Sequence, residues 1–190
     1  MWGLLPDREI LKLCERERMI EPFVPRKVGF PSWGLSSFGY DVRLGHRFLR
    51  QKPLDLVEPV WIDRIEELRP RLWEERTDNE HIVIHPGETL LCETVEYFRM
   101  PFDVAGLCFG KSTWARLGIL VNATPLEPAW EGVLVLEITN LSRWPIALPV
   151  GKGIAQIVFF RGAPPTHDYV ALGGRYQNQD RVIGPKEGAG

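Results

Sequence analysis

Two short stretches of the chain carry side chains that could do chemistry. Gly110-Lys111-Ser112-Thr113-Trp114-Ala115-Arg116 sets two cations and two hydroxyls close together. A turn of that composition, with its backbone N–H groups, can hold an anion. Further on, Val133-Leu134-Val135-Leu136-Glu137-Ile138-Thr139-Asn140 places one carboxylate in an apolar strand. Side chains alternate faces along a strand, so Glu137 shares its face with Val133 and Val135. Such neighbours desolvate a carboxylate and raise its pKa, which suits a group that accepts and returns a proton near neutrality. Together these are parts for binding a phosphorylated ligand and moving protons on it. Each stretch has a plainer reading on the residues alone. Ser112 or Thr113 could cap a helical turn, and Glu137 could sit at a solvated strand position.

Other chemistries fit poorly. Lys111-Ser112-Thr113 resembles the end of a Walker A motif, but that motif requires Gly where the chain has Ala105. The zinc-deaminase pattern of His-x-Glu followed by Pro-Cys-x-x-Cys is absent: His85 and Glu88 are three apart, and no two cysteines have Cys-x-x-Cys spacing. The four histidines form no ligand-spaced cluster. Cys14, Cys92 and Cys108 are widely separated, which predicts reduced, buried thiols of a cytosolic protein rather than a disulfide framework or a metal site.

The 190 residues suffice for a single domain with a sizeable core, and 44% hydrophobic content marks a globular chain. With a net charge of -2 and no run of Lys or Arg, neither nucleic-acid nor membrane-surface binding is expected. No apolar stretch is long enough to span a bilayer, and Met1 to Pro6 does not read as a signal peptide. Pro6 and Asp7 predict a helix start, and Ile10, Leu11, Leu13 and Cys14 continue it to about Arg18. Pro22, Pro25 and Pro31 make the following stretch extended or turning. Alternation predicts a strand over Gly39–Leu44. The charged text from Ile62 to Asn79 reads as a loosely helical surface excursion. Short strands are then predicted at His81–Ile84, Glu88–Phe98, Ala105–Phe109, Ile119–Ala123, Val133–Asn140 and Ile154–Phe160, punctuated by Pro and Gly. That spacing predicts a barrel or sandwich. From Gly162 to Gly190 the text is rich in Gly and Pro yet carries Tyr169, Arg175, Tyr176, Gln177 and Gln179. These side chains suit a lid folded over a ligand, or a tail packed on a neighbouring subunit.

Several segments in order resemble the dCTP deaminase family of the dUTPase-like superfamily. They are Met19–Phe23, Ser36–Arg43, Thr94–Phe98, Gly110–Gly118, Asn122–Gly132, Gly153–Gln156 and Gly173–Gln179, so the resemblance covers nearly the whole chain. It implies a mainly β, distorted dUTPase-like barrel with a short N-terminal helix. The whole of 1–190 would form one domain, with a C-terminal arm over 162–190 closing the active site. It also implies a homotrimer with active sites between subunits. Glu137 matches the family's catalytic proton donor and acceptor, and Ser112 and Arg116 match its polar partners. Lys111, Ser112, Thr113, Trp114, Ala115 and Arg116 match the nucleotide-binding loop. Val135, Leu136 and Glu137 match the strand that lines the pyrimidine. Gln156, Tyr169, Arg175 and Gln179 match further dCTP contacts. Arg175 stands where members commonly have Lys, which keeps the charge and changes the geometry. Asn178 replaces a common Gly, which puts the local turn of the arm in question.

The activity implied is zinc-independent conversion of dCTP to dUTP and ammonia, with Mg²⁺ carried on the triphosphate and dTTP as a possible inhibitor. Two other readings compete with it. A dUTP pyrophosphatase, alone or combined with deamination, would use an Asp where this chain has Glu127, and bifunctional members carry Thr-Ala-Gly in place of Ala123-Thr124-Pro125. An inert nucleotide-binding relative would not need Ser112, Arg116 and Glu137 together.

Overall fold

The computed structural model describes residues 3–53 and 59–187. Met1, Trp2, residues 54–58 and the last three positions of the expected arm lie outside the described residues.

A short strand β1 (Gly3–Leu4) leads into α1 (Asp7–Glu17), bounded as the sequence predicts. Asp7 and Glu9 lie in its positive first turn. Ile10, Leu13 and Cys14 recur at helical spacing and are the residues that α1 buries. Arg18 ends it in the left-handed region, φ 55, with its N–H donating to the Cys14 carbonyl at 3.1 Å. Then come β2 (Ile20–Glu21), β3 (Gly34–Ser36) and the long β4 (Gly39–Gln51).

A short 3₁₀ turn over Ile62–Arg64 and α2 (Ile65–Leu72) follow. The helical reading of 62–79 holds only this far. Trp73–Thr77 is a strand, β5, paired with Arg47–Gln51 of β4. The remaining elements are β6 (His81–Ile84), β7 (Thr89–Arg99), β8 (Val104–Gly110), α3 (Ser112–Arg116), β9 (Ile119–Asn122), β10 (Glu131–Asn140), β11 (Ile146–Pro149) and β12 (Gly153–Arg161).

Among the described residues, ten strands form one curled, mainly antiparallel sheet whose spine runs β1-β12-β4-β7-β10-β9. The unpredicted β11 pairs with β6 in a separate two-stranded sheet. Closure of the large sheet depends on β4. Its first half pairs with β12, its second with β7 and β5, and the register slips between Leu44 and Phe48. Gly45 lies at that irregularity, where a Cβ would meet Glu93 Cγ at 2.6 Å and the Glu93 carbonyl at 2.8 Å. Only glycine lets the two strands approach so closely while β4 bends.

Inside lies one apolar cluster drawn from α1 and the strands, with Leu5, Tyr40, Leu44, Phe98, Leu136 and Phe159 fully buried. Each large side chain of this kind contributes about 1.5–3 kcal/mol through burial. Glu96 is fully buried and paired: Arg43 donates its Nε at 2.7 Å and its backbone N–H at 2.9 Å to the carboxylate. The thiols of Cys14 and Cys92 are buried and that of Cys108 is half-buried; all are free, and burial pushes Cys14 and Cys108 up to about 12. At those values they are not nucleophilic near neutrality.

Candidate active site

Glu137 sits in the middle of β10, between β7 and β9. The register between β10 and β7 shifts between Val133 and Val135, and this bulge brings both Leu134 and Val135 onto the cavity that Glu137 faces. Leu136 points the other way, into the core, with no exposure. The cavity holds about 340 Å³, within the range of small-molecule sites. Its walls include Thr124, Pro125 and Trp130 from the turn before β10, and Trp73 and Leu91 from β5 and β7. The fourth side comes from the arm through Tyr169, Tyr176, Gln179 and Ile183–Pro185.

The Glu137 carboxylate is half-buried, and burial raises its pKa above the ordinary glutamate range. Asn122 opposes this in part by donating its Nδ2 to Oε2 at 3.0 Å, from the residue directly opposite on β9. Glu137 is thus partly desolvated at the cavity wall rather than fully solvated. Asn122 is a partner that sequence reasoning missed. It stands in one of the family-like segments, but nothing in its type separates a carboxylate partner from an ordinary strand-end amide.

The turn before β10 is built for this wall. Trp130 donates its N–H to the Glu127 carbonyl at 3.1 Å, with Pro128 and Ala129 between them and Ala129 at φ 64. That is a type II turn with proline in its favoured second position. Glu127 is exposed and does not line the cavity.

The arm is tied to this turn and to β10 of the same chain. Trp130 Nε1 donates to the Tyr176 carbonyl at 2.9 Å, and Gln177 Nε2 to the Ala129 carbonyl at 3.1 Å. Gln179 brackets Val133: its carbonyl accepts the Val133 N–H at 2.9 Å and its Nε2 donates to the Val133 carbonyl at 2.7 Å. Gly132, at φ 153, faces Gln179 where a Cβ would stand 2.9 Å from Gln179 Cγ. Asn178 adopts φ 56, a left-handed conformation open to Gly and tolerated by Asn, so the turn in question does form. Tyr169 takes the Tyr176 N–H on its hydroxyl at 2.9 Å. Gln179 is buried, and its Oε1 has no donor within the described residues.

The cationic stretch lies elsewhere. Ser112–Arg116 forms α3, a single turn with Lys111 at its N-cap and no side-chain cap, so neither hydroxyl serves that purpose. Trp114 is buried, donating Nε1 to the Gly153 carbonyl at 2.9 Å. Ser112, Ala115 and Arg116 are exposed and Thr113 is half-buried. Lys111 Nζ lies 2.5 Å from Asp41 Oδ2 and 3.3 Å from Ser32 Oγ. Gln156 reaches the same carboxylate, donating Nε2 to Asp41 Oδ1 at 3.2 Å and to Ser36 Oγ at 3.0 Å. Within the chain, then, Glu137, Val135, Tyr169 and Gln179 are brought together at one cavity. Lys111 and Gln156 gather around Asp41. Arg175 is exposed, its carbonyl accepting from Lys186. Neither Ser112 nor Arg116 bonds to Glu137 among the described residues. No group of three or more His, Cys, Asp or Glu side chains is gathered among them either.

Known proteins resemble this chain along most of its length. A family described as dCTP deaminase-like matches residues 4–162. A protein of Protochlamydia amoebophila named dCTP deaminase is 40% identical over 186 residues, covering 93% of this chain and 95% of its own. One of the same name from Acidobacterium capsulatum is 41% identical over 175 residues, covering 88% and 91%. A crystal structure of 2'-deoxycytidine 5'-triphosphate deaminase from Agrobacterium tumefaciens superposes with a TM-score of 0.64 at 22% identity. That match covers 85% of this chain and 49% of the Agrobacterium chain, so this chain spans about half its length. The fold is shared, and with the matched family segment and the two relatives it follows that this chain belongs to the dCTP deaminase-like family.

Proposed function

We propose that the protein hydrolyses dCTP to dUTP and ammonia, a step that feeds the synthesis of thymine deoxynucleotides. The observation that carries this is Glu137: a half-buried carboxylate on the wall of a cavity, its pKa raised by burial, with an amide holding one oxygen. In this reading Glu137 takes a proton from water as the oxygen bonds to cytosine C4. It returns that proton to N3 or to the departing amine; the C4 hydroxyl yields its remaining proton to the other of the two, C4=O forms as the C4–N4 bond breaks, and ammonia leaves. Ser112 positions the water together with a backbone carbonyl at Thr124 or Pro125, two residues of the cavity wall. Arg116 holds Ser112 and Glu137 and biases their charge. Val135 and the Leu136 backbone flank the pyrimidine. Lys111, Thr113, Trp114, Ala115, Gln156, Tyr169, Arg175 and Gln179 shape the rest of the nucleotide site.

Ser112 and Arg116 are not joined to Glu137 within one chain, which supports a site completed by a neighbouring copy in a homotrimer. Leu107, Phe109 and Leu120, exposed on β8 and β9, supply apolar surface for such a contact. Mg²⁺ comes with the triphosphate, held by phosphate oxygens and water, and the reaction uses no zinc. Inhibition by dTTP is what the family resemblance implies, and adding dTTP to the same assay tests it. The chain works as one domain over 1–190 with the 162–190 arm as its closure, in the cytoplasm. No described helix is long and apolar enough to cross a membrane.

The test is incubation of purified protein with dCTP and Mg²⁺, resolving dUTP, dUMP, ammonia and pyrophosphate, with and without a strong zinc chelator. Equimolar dUTP and ammonia, unchanged by the chelator when Mg²⁺ is restored, are expected. Appearance of dUMP and pyrophosphate would move the assignment to a bifunctional enzyme. Absence of both products would overturn it.

A further inference from the structure

Beyond Gln179 the arm meets a charged pair that the deamination chemistry does not use. Glu93 on β7 is 3% exposed. Arg47 on β4 directs its Nε to both Glu93 oxygens, at 3.0 and 3.1 Å. Each member of the pair also holds one backbone group of the arm. A terminal guanidinium nitrogen of Arg47 donates to the Asp180 carbonyl at 3.1 Å, and the Val182 N–H donates to Glu93 Oε2 at 3.1 Å. Val182 itself is buried at 1% exposure. The clamp thus grips the arm on both sides of Arg181, two residues past the glutamine that faces the cavity. A buried carboxylate needs a cation, and Arg47 alone would meet that need. The further bonds to main-chain atoms are sequence-independent grips on a segment with little apolar periodicity of its own. Charge-assisted bonds of this kind are about twice as strong as neutral ones.

We propose that Arg47 and Glu93 are positioning residues, a latch that fixes the arm against the cavity before nucleotide arrives and so sets KM. This rests on the reading of the cavity as the dCTP site. A ligand that must first order its own lid binds more weakly by the fraction of molecules already closed, and the latch raises that fraction.

The test is Arg47→Lys. Lysine keeps a charge for Glu93 but lacks the planar fork that reaches Asp180 at the same time. KM for dCTP should rise about tenfold, with kcat within about twofold of the parent. Tryptic cleavage of the nucleotide-free protein at Arg175 and Arg181 should accelerate, and saturating dCTP should slow it again. If Arg47→Lys does not fold, Val182→Pro removes the N–H that donates to Glu93 while leaving the charged pair intact; the same rise in KM is expected, with faster cleavage read at Arg175 alone because trypsin does not cut an Arg–Pro bond. Unchanged KM with unchanged cleavage overturns the latch. So does a lower melting temperature with unchanged KM, which would make the pair purely structural. A parent protein that does not turn over dCTP refutes the deaminase reading instead; the cleavage rates then decide the latch, with unchanged rates overturning it.

Discussion

Replacing Glu137 with glutamine separates the proton chemistry from everything else that the side chain does. The amide is nearly isosteric, and its oxygen can still accept the Asn122 Nδ2 bond now made at 3.0 Å. It cannot take a proton from water or return one. General acid–base catalysis is typically worth ~10²–10⁴-fold. With one group serving both transfers, the loss in kcat should reach about 10⁴-fold, a barrier increase of about 5.5 kcal/mol. dCTP binding, measured by calorimetry, should stay within a few-fold of the parent, because the loss falls on the chemical step. The same substitution should stabilise the fold. Burial raises the Glu137 pKa, so the native state binds protons more tightly than the unfolded chain. Stability of the parent therefore falls as pH rises from the ordinary glutamate value of about 4.3 through the raised native value. Glu137→Gln removes that loss: its melting temperature should exceed the parent's at pH 7, and the gap should close in acid, where the parent carboxyl is protonated. In turnover, the acid limb of the parent's kcat profile should lie above the ordinary glutamate range. Asn122→Ala should move that limb higher still, since the Asn122 bond lowers the pKa. Near-normal kcat in Glu137→Gln, or a melting temperature below the parent's at pH 7, would refute the reasoning.

Other substitutions test the frame around this carboxylate. Gly132→Ala sets a Cβ 2.9 Å from Gln179 Cγ and 3.0 Å from the Trp130 ring at φ 153; it should cost about 1–3 kcal/mol in a denaturant melt and raise KM by displacing the arm. Glu96→Gln leaves the Arg43 charge without its buried partner. Because the Arg43 side chain is 17% exposed, the cost should fall near the lower end of the range for broken buried pairs, about 3 kcal/mol, and an unchanged midpoint of chemical denaturation would contradict it. Trimming the chain after Ala171 removes Tyr176, Gln179 and Ile183–Pro185 from the cavity wall. The remainder should fold, seen by circular dichroism, and lose most dCTP turnover; unchanged kinetics would show that the arm takes no part.

How far the sequence could be read follows from where each element's determinants lie. Helix α1 was legible because its signals are local: Pro6 before it, Ile10, Leu13 and Cys14 along one face, Arg18 at the stop. The short apolar run of His81–Ile84 before Pro86-Gly87 likewise reads as β6 at its observed bounds. Strand β5 was not legible. Trp73-Glu74-Glu75-Arg76-Thr77 has charges at its centre, and its conformation comes from pairing with β4, not from its own pattern. Short β11 follows Pro145 and ends in Pro149, and its conformation likewise comes from pairing, here with β6. At the cavity, the apolar neighbours of Glu137 showed in the text, whereas the bulge that turns both Leu134 and Val135 toward it breaks the very alternation used to read the strand. Asn122, Arg47 and Glu93 act across strands through side-chain hydrogen bonds, which leave no periodicity to detect. The cationic loop shows the limit most clearly. Composition marks Lys111 as a cation ready for phosphate, yet its charge is already met by Asp41, which Gln156 also holds. A phosphate binding there must draw Lys111 from that carboxylate or share it. Arg116 makes no ion pair among the described residues, so it can meet an anion without first giving up a partner. Residue types told where the cations are, and only the fold tells which of them is already spoken for.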